Sequence, residues 1–178
     1  MIRRLLILSV ILAGVTIAQG CATDRRTVGT QIDDENIELS VRKAFTDDNR
    51  LGDDVHVNIT SFNGTVLLTG EATTAEQRDI VVSRARGFEG VKRVVSEINV
   101  TEPTAFAKRV HDSWITGQVK AKMLDTPNLK STRIKVVTEN SVVYLMGLVK
   151  QSEGELAAET ARTVGGITRV VKVFEYLD

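Results

Sequence analysis

The sequence predicts an α+β protein made of two tandem copies of one small unit, each in the order helix, strand, strand, helix, strand, behind an export signal. Three observations carry this. From Asp33 onward the chain can be laid over itself at a separation of 78 residues, falling to 77 and then 76. Within each copy the apolar residues change from helical spacing to strand alternation and back. At the front, Arg3 and Arg4 precede an apolar run from Leu5 to Ile17, and Ala18-Gln19-Gly20 leads into Cys21.

The front segment, residues 1–20, is expected to be a cleaved signal, too short and too closely followed by a processing site to span a membrane well. Cys21 is the sole cysteine, so neither an intramolecular disulfide nor a thiolate metal cluster can form. Small residues before a cysteine at the end of an apolar run resemble a bacterial lipobox, which makes Cys21 the expected lipidated first residue. The match departs from the pattern at Ala18, where Leu is usual. Ordinary cleavage after Gly20, leaving a free thiol, stands as the alternative. Ala22 rather than Asp after the cysteine favours the outer membrane by the usual sorting rule. Residues 21–32 are then a polar tether, able to reach about 35 Å over roughly ten residues.

Copy one is expected over residues 33–101 and copy two over residues 105–178, joined near Glu102-Pro103-Thr104. Ile37, Val41 and Phe45 fall on Ile115, Val119 and Met123, the core row of the first helix, read as Glu35–Thr46 and Ser113–Asp125 with Ser113 as N-cap. Val55, Val57 and Ile59 alternate, and Asn63-Gly64 is a hairpin turn signal of which Asn140-Ser141 is a weaker counterpart. Val66-Leu67-Leu68 and Val142 to Met146 are apolar without alternation, which suits a central strand shielded on both sides. Capping boxes at Thr73 with Glu76 and at Ser152 with Glu155 open the second helix, and Gly87 and Gly165 end it. Val94 to Val100 and Val170 to Tyr176 complete a mixed three-stranded sheet packed on two helices.

No catalytic constellation emerges. His56 and His111 have no metal-ligand spacing, and the pairs Asp33-Asp34, Asp47-Asp48 and Asp53-Asp54 read as caps and solvated charge. No glycine belongs to a nucleotide-binding pattern. The expectation is a protein that is no enzyme and holds no cofactor or metal. Residues 24–104 carry 10 Lys and Arg against 15 Asp and Glu, net −5, whereas residues 105–178 carry 11 against 8, net +3. The second copy is thus the one to meet an anionic partner. Export and the absence of clustered arginine argue against nucleic acid.

The first helix of copy two carries a second apolar row, Trp114, Gly117, Ala121 and Leu124, on roughly the side opposite its core row. Lys120 flanks that row on one edge, with Gln118 and then Lys122 on the other. Copy one has Asn36, Leu39, Lys43 and Thr46 at the matching positions, so the fold does not require the outer row. Packing between the copies would also hide it, with Phe62 and Leu39 as the facing candidates.

The N-G and N-S turns, the following V-x-L-x-G strands and the closing G-V and G-I-x-R-V-V segments resemble tandem BON domains. The spans Val28 to Asp34, Trp114-Ile115-Thr116, Val137 to Asn140 and Leu145 to Val149 resemble, more narrowly, the two-BON outer-membrane lipoproteins. That resemblance implies a non-enzymatic, phospholipid-binding periplasmic protein that supports envelope integrity and is linked to the barrel assembly machinery. It also implies a lipid contact on this same helix, which supports carrying over Trp114 and Leu124; with the helix reading, the expected contact is Trp114, Gly117, Gln118, Lys120, Ala121 and Leu124, with an anionic phospholipid as ligand. Gln118 departs from the family, whose members look more basic there. A purely protein-binding adaptor of barrel assembly is the alternative.

Overall fold

The computed structural model describes residues 27–52, 55–103 and 106–177; the signal segment, Cys21, the start of the tether and the Asp53-Asp54 pair lie outside the described residues. The first repeat comprises α1 (Val28–Thr46), β1 (His56–Phe62), β2 (Thr65–Ala72), α2 (Ala75–Arg86) and β3 (Arg93–Val100). The second comprises α3 (Phe106–Leu124), a short 3-10 turn (Ser131–Arg133), β4 (Ile134–Glu139), β5 (Val142–Lys150), α4 (Gln151–Arg162) and β6 (Arg169–Leu177). In each repeat the middle strand pairs antiparallel with the first and parallel with the last, the mixed three-stranded sheet read from the sequence.

The two helices of each repeat cover one face of its sheet. In the first repeat, Ile37 and Val41 of α1 and Val81 and Ala85 of α2 pack on Val66, Leu68 and Ala72 of β2. In the second, Ile115, Val119 and Met123 of α3 and Ala157, Ala158 and Ala161 of α4 pack on Val143, Leu145 and Val149 of β5. The residues between them on each middle strand point the other way. Leu67 from one sheet meets Tyr144, Met146 and Val173 of the other, with Phe62, Val95 and Val171 around them. The molecule is therefore four layers, helices, sheet, sheet, helices, which is why β2 is buried along its whole length and β5 along most of its own. Burying each large side chain of this middle layer contributes about 1.5–3 kcal/mol.

Equivalent positions meet across that layer. Lys135 of β4 donates to Glu38 of α1 at 2.9 Å and to the Ser61 carbonyl at 3.2 Å. In the repeat alignment Lys135 corresponds to Asn58, Glu38 to Thr116 and Ser61 to Thr138, and Asn58, Thr116 and Thr138 line one cavity. Such reciprocity is the mark of a two-fold relation, here between two halves of one chain.

The hairpin turns are closed by a helix. Asn63 and Gly64, at φ of 52° and 76°, and Asn140 and Ser141, at 50° and 62°, are left-handed as a two-residue hairpin of this kind demands. Asp34 of α1 accepts from the amides of Asn63 at 2.8 Å and Gly64 at 3.0 Å and from the Ser61 hydroxyl at 2.6 Å. Its counterpart Asp112 of α3 accepts from the amides of Asn140 and Ser141, both at 2.8 Å.

Several local expectations are corrected. α1 begins at Val28, so part of the expected tether is helix, because the Thr27 hydroxyl accepts from the Thr30 amide at 3.1 Å and caps it there. α3 begins at Phe106, and Ser113 lies inside it, its hydroxyl donating back to the Arg109 carbonyl at 3.1 Å. The capping box of α2 is Thr74 with Gln77, one residue beyond Thr73 and Glu76. α4 follows β5 directly with Lys150 at its N-cap and no side-chain cap; Ser152 is helical, and Glu155 accepts from Lys172 at 2.6 Å. It ends at Arg162, ahead of Gly165.

The acidic pairs divide likewise. Asp34 is buried under its turn rather than solvated. Asp48 is buried as well and holds Arg50 at 2.6 Å and Arg84 at 3.0 Å. The Arg50 hydrogen bond, together with Arg84, keeps its carboxyl well below the usual carboxylate range.

Candidate membrane-binding surface

α3 owes its position to Ile115, Val119 and Met123, all essentially inaccessible in the second core. At about 100° per residue, fixing that row toward the sheet sends Trp114, Gly117, Ala121 and Leu124 outward. Trp114 is 54% exposed and Leu124 68%. Gly117, Gln118, Lys120, Ala121 and Lys122 are exposed as well, and a Cβ built on Gly117 would meet nothing within 4 Å. The residues singled out in the sequence thus share one outward strip of one helix. The layer between the repeats is formed by the sheets, with Phe62 in it and Trp114 outside it.

Because α3 starts earlier than the sequence suggested, the strip is longer. Val110, one turn before Trp114 and 54% exposed, continues it toward the N-terminus. Its signal was available, an apolar residue four positions before the tryptophan, but placing the helix start at Ser113 hid it.

Trp114 is held in place by His111, whose ring stacks on the indole with centroids 5.7 Å apart and planes inclined by 17°. Gly166, at φ 84° in the turn between α4 and β6, leaves room for that imidazole, since a Cβ there would approach His111 Nε2 to 3.3 Å. An exposed, sterically supported indole beside an apolar row and lysines is suited to an interface between water and hydrocarbon. No helix among the described residues is long and apolar enough to cross a membrane.

The other chemistry is between the repeats. Asn58 donates to Glu139 at 2.7 Å, and Asn140 donates to Glu71, whose side chain is fully buried. Burial pushes the Glu139 carboxyl above its ordinary value, with the charges of Glu71 and Asp112 acting the same way and the Asn58 hydrogen bond opposing. A cavity of about 260 Å³ beside this group is lined by His56, Asn58, Asp112, Thr116 and Glu139 among others. The His56 Nε2 is buried and meets no hydrogen-bond partner among the described residues. Sequence reasoning missed this cluster because its carboxylates and asparagines lie about 70 to 80 residues apart and meet only through the pairing of the sheets. Among the described residues, no three His, Cys, Asp or Glu side chains are grouped to hold a metal ion.

Comparison with known proteins follows the same division of the chain. The model of the BON domain matches residues 33–102 and again 111–178. Over 168 residues, 94% of this chain and 87% of the relative, the sequence is 42% identical to the outer membrane lipoprotein DolP of Haemophilus influenzae. It is 38% identical to a 21 kDa hemolysin of Actinobacillus pleuropneumoniae, covering 86% of this chain and 79% of the other. It is 31% identical to the osmotically-inducible protein Y of Escherichia coli, covering 80% and 72% respectively.

Proposed function

The chain belongs to the BON-domain family, and from that premise we propose that it is a non-enzymatic lipoprotein, anchored through Cys21 to the outer membrane's periplasmic face, that binds anionic phospholipid through its second repeat and supports envelope integrity. The observation that carries the reading is the division of α3 into a fully buried core row and an exposed row centred on Trp114. The similarity to an outer-membrane lipoprotein over nearly the whole chain supports the anchor and the compartment.

The energetics suit a tethered domain. Burying Trp114 and Leu124 contributes about 2 kcal/mol each, and Lys120 near an anionic surface about 1 kcal/mol, before ordering costs. For a free protein that is a weak contact. An acyl chain on Cys21 holds the domain at a local concentration in the millimolar range, where weak contacts are occupied.

Trp114 is the only tryptophan, so its fluorescence reports this site alone. Mixed with vesicles of phosphatidylglycerol and phosphatidylethanolamine at low salt, the mature protein should show a blue shift and quenching by brominated acyl chains. An unchanged spectrum would sink the lipid reading and leave the row as a protein-docking face, as for an adaptor of barrel assembly.

A further inference from the structure

We infer that the first repeat carries a docking groove for a partner protein, built to receive one of that partner's arginine side chains between α1 and the turn joining α2 to β3. This site is separate from the lipid contact of α3. A cavity of about 550 Å³ lies there, lined by Asp33, Asn36 and Ser40 of α1 and by Phe88, Glu89 and Gly90 of the turn, among others.

The second repeat shows what such a groove accepts. At a separation of 78 along the helix and 76 along the turn, Asp33 falls on His111, Asn36 on Trp114, Glu89 on Gly165 and Gly90 on Gly166. Gly90 and Gly166 both stand at φ 84°. In the second repeat the His111 imidazole lies against Gly166, with Trp114 stacked on it. A Cβ built on Gly166 would meet that imidazole and Ile115, whereas one built on Gly90 would meet within 4 Å only Ile37, the counterpart of Ile115. The apolar floor is thus common to both repeats, and the planar ring that covers it belongs to the second alone. Where the second repeat has His111 and Gly165, the first presents two carboxylates, Asp33 and Glu89, exposed and without an ion-pair partner among the described residues.

Charge complementarity names the occupant. The lining holds Asp33, Asp34 and Glu89 against Lys92, whose ammonium is turned to the Asn63 Oδ1 at 3.4 Å. Asp34 is committed to the hairpin amides, which leaves Asp33 and Glu89 to meet a cation. Phe88, half-buried, adds an aromatic side chain to the lining. A flat space bordered by two carboxylates and an aromatic ring suits guanidinium better than ammonium, because guanidinium is planar, bonds a carboxylate bidentately and stacks on an aromatic face. The acidic character of the first repeat, net −5 over residues 24–104, steers a basic partner toward it. The groove belongs to the helical layer of the first repeat, on the other side of the paired sheets from α3, so a partner here leaves Trp114 free.

The test titrates the isotope-labelled mature protein with N-acetyl-arginine methylamide at low salt, following backbone amides by nuclear magnetic resonance, with the blocked lysine and blocked citrulline as controls. We expect saturable shifts centred on Asn36, Gly64 and Gly90 with arginine, weaker ones with lysine and none with the uncharged citrulline. Asp33→Asn combined with Glu89→Gln should weaken binding about tenfold at an unchanged melting temperature. Asp33→His combined with Asn36→Trp, which copies the second repeat, should abolish it. Shifts that lysine or citrulline reproduces in full, or that survive the loss of both carboxylates, would overturn the proposal, as would the absence of any localised shift. Failure of vesicle binding at Trp114 is read in a different experiment and leaves this groove untouched.

Discussion

Asn58 of the first repeat donates to the Glu139 carboxylate of the second at 2.7 Å, holding a buried ionisable group between the two repeats. Burial raises the folded-state value of Glu139 above its ordinary 4.5, so between that value and the raised one the folded protein binds more protons than the unfolded chain. Stability from this group is present at acid pH and is lost as pH rises through the raised value. Glu139→Gln, which keeps an acceptor for Asn58, should flatten this dependence. The difference in melting temperature between about pH 5 and about pH 7 should shrink by a few degrees relative to the parent. An unchanged difference would show that Glu139 does not titrate in the fold.

The turn at Asn140-Ser141 holds a serine at φ 62°, a conformation that costs an L-residue about 1–2 kcal/mol and a glycine little. Ser141→Gly should stabilise the protein by about 1 kcal/mol in chemical denaturation, since the Asp112 bond is made to the backbone and survives. Asp112→Ala, by contrast, leaves two turn amides without their carboxylate and should cost about 2–4 kcal/mol.

Opposite rows of α3 should respond oppositely to charge. Trp114→Glu should keep the melting temperature and weaken vesicle binding about 30-fold, the equivalent of about 2 kcal/mol. Val119→Glu should unfold the second repeat, because its side chain is wholly buried. Asn36→Glu, on the matching exposed position of α1, should alter neither strongly. Thermal unfolding beside liposome flotation reads all three. If Trp114→Glu melts as badly as Val119→Glu, the indole is structural and the lipid site lies elsewhere.

The anchor is tested on its own. Cys21→Ser should abolish acyl labelling and leave precursor that is unprocessed or misplaced. Efficient processing to a soluble periplasmic form would instead support ordinary cleavage after Gly20.

The repeat and both core rows were legible in the sequence because local periodicity fixes which face of a helix or strand is apolar. The doubly apolar Val66-Leu67-Leu68 run even announced a second covered face, but not that the other sheet covers it. The helix starts were misplaced for a physical reason. Thr27 and Ser113 are both competent caps, and only the preceding chain decides whether a serine caps a helix or sits inside one. The outer row around Trp114 was legible from comparing the two copies. Val110 was lost with the misplaced start of α3, and the Asn58–Glu139 pair lay beyond reach because no local pattern encodes a contact across 81 residues.

Because Leu67, Tyr144 and Met146 meet through the sheets themselves, the mutual orientation of the repeats is set by surfaces and not by the chain that joins them. The link between β3 and α3 supplies proximity alone. A longer or shorter connection there would leave both first helices aimed as before. Severing the connection would yield halves that each carry an exposed sheet face. Such halves would pair with one another, so the covalent link acts as an insulator against promiscuous assembly.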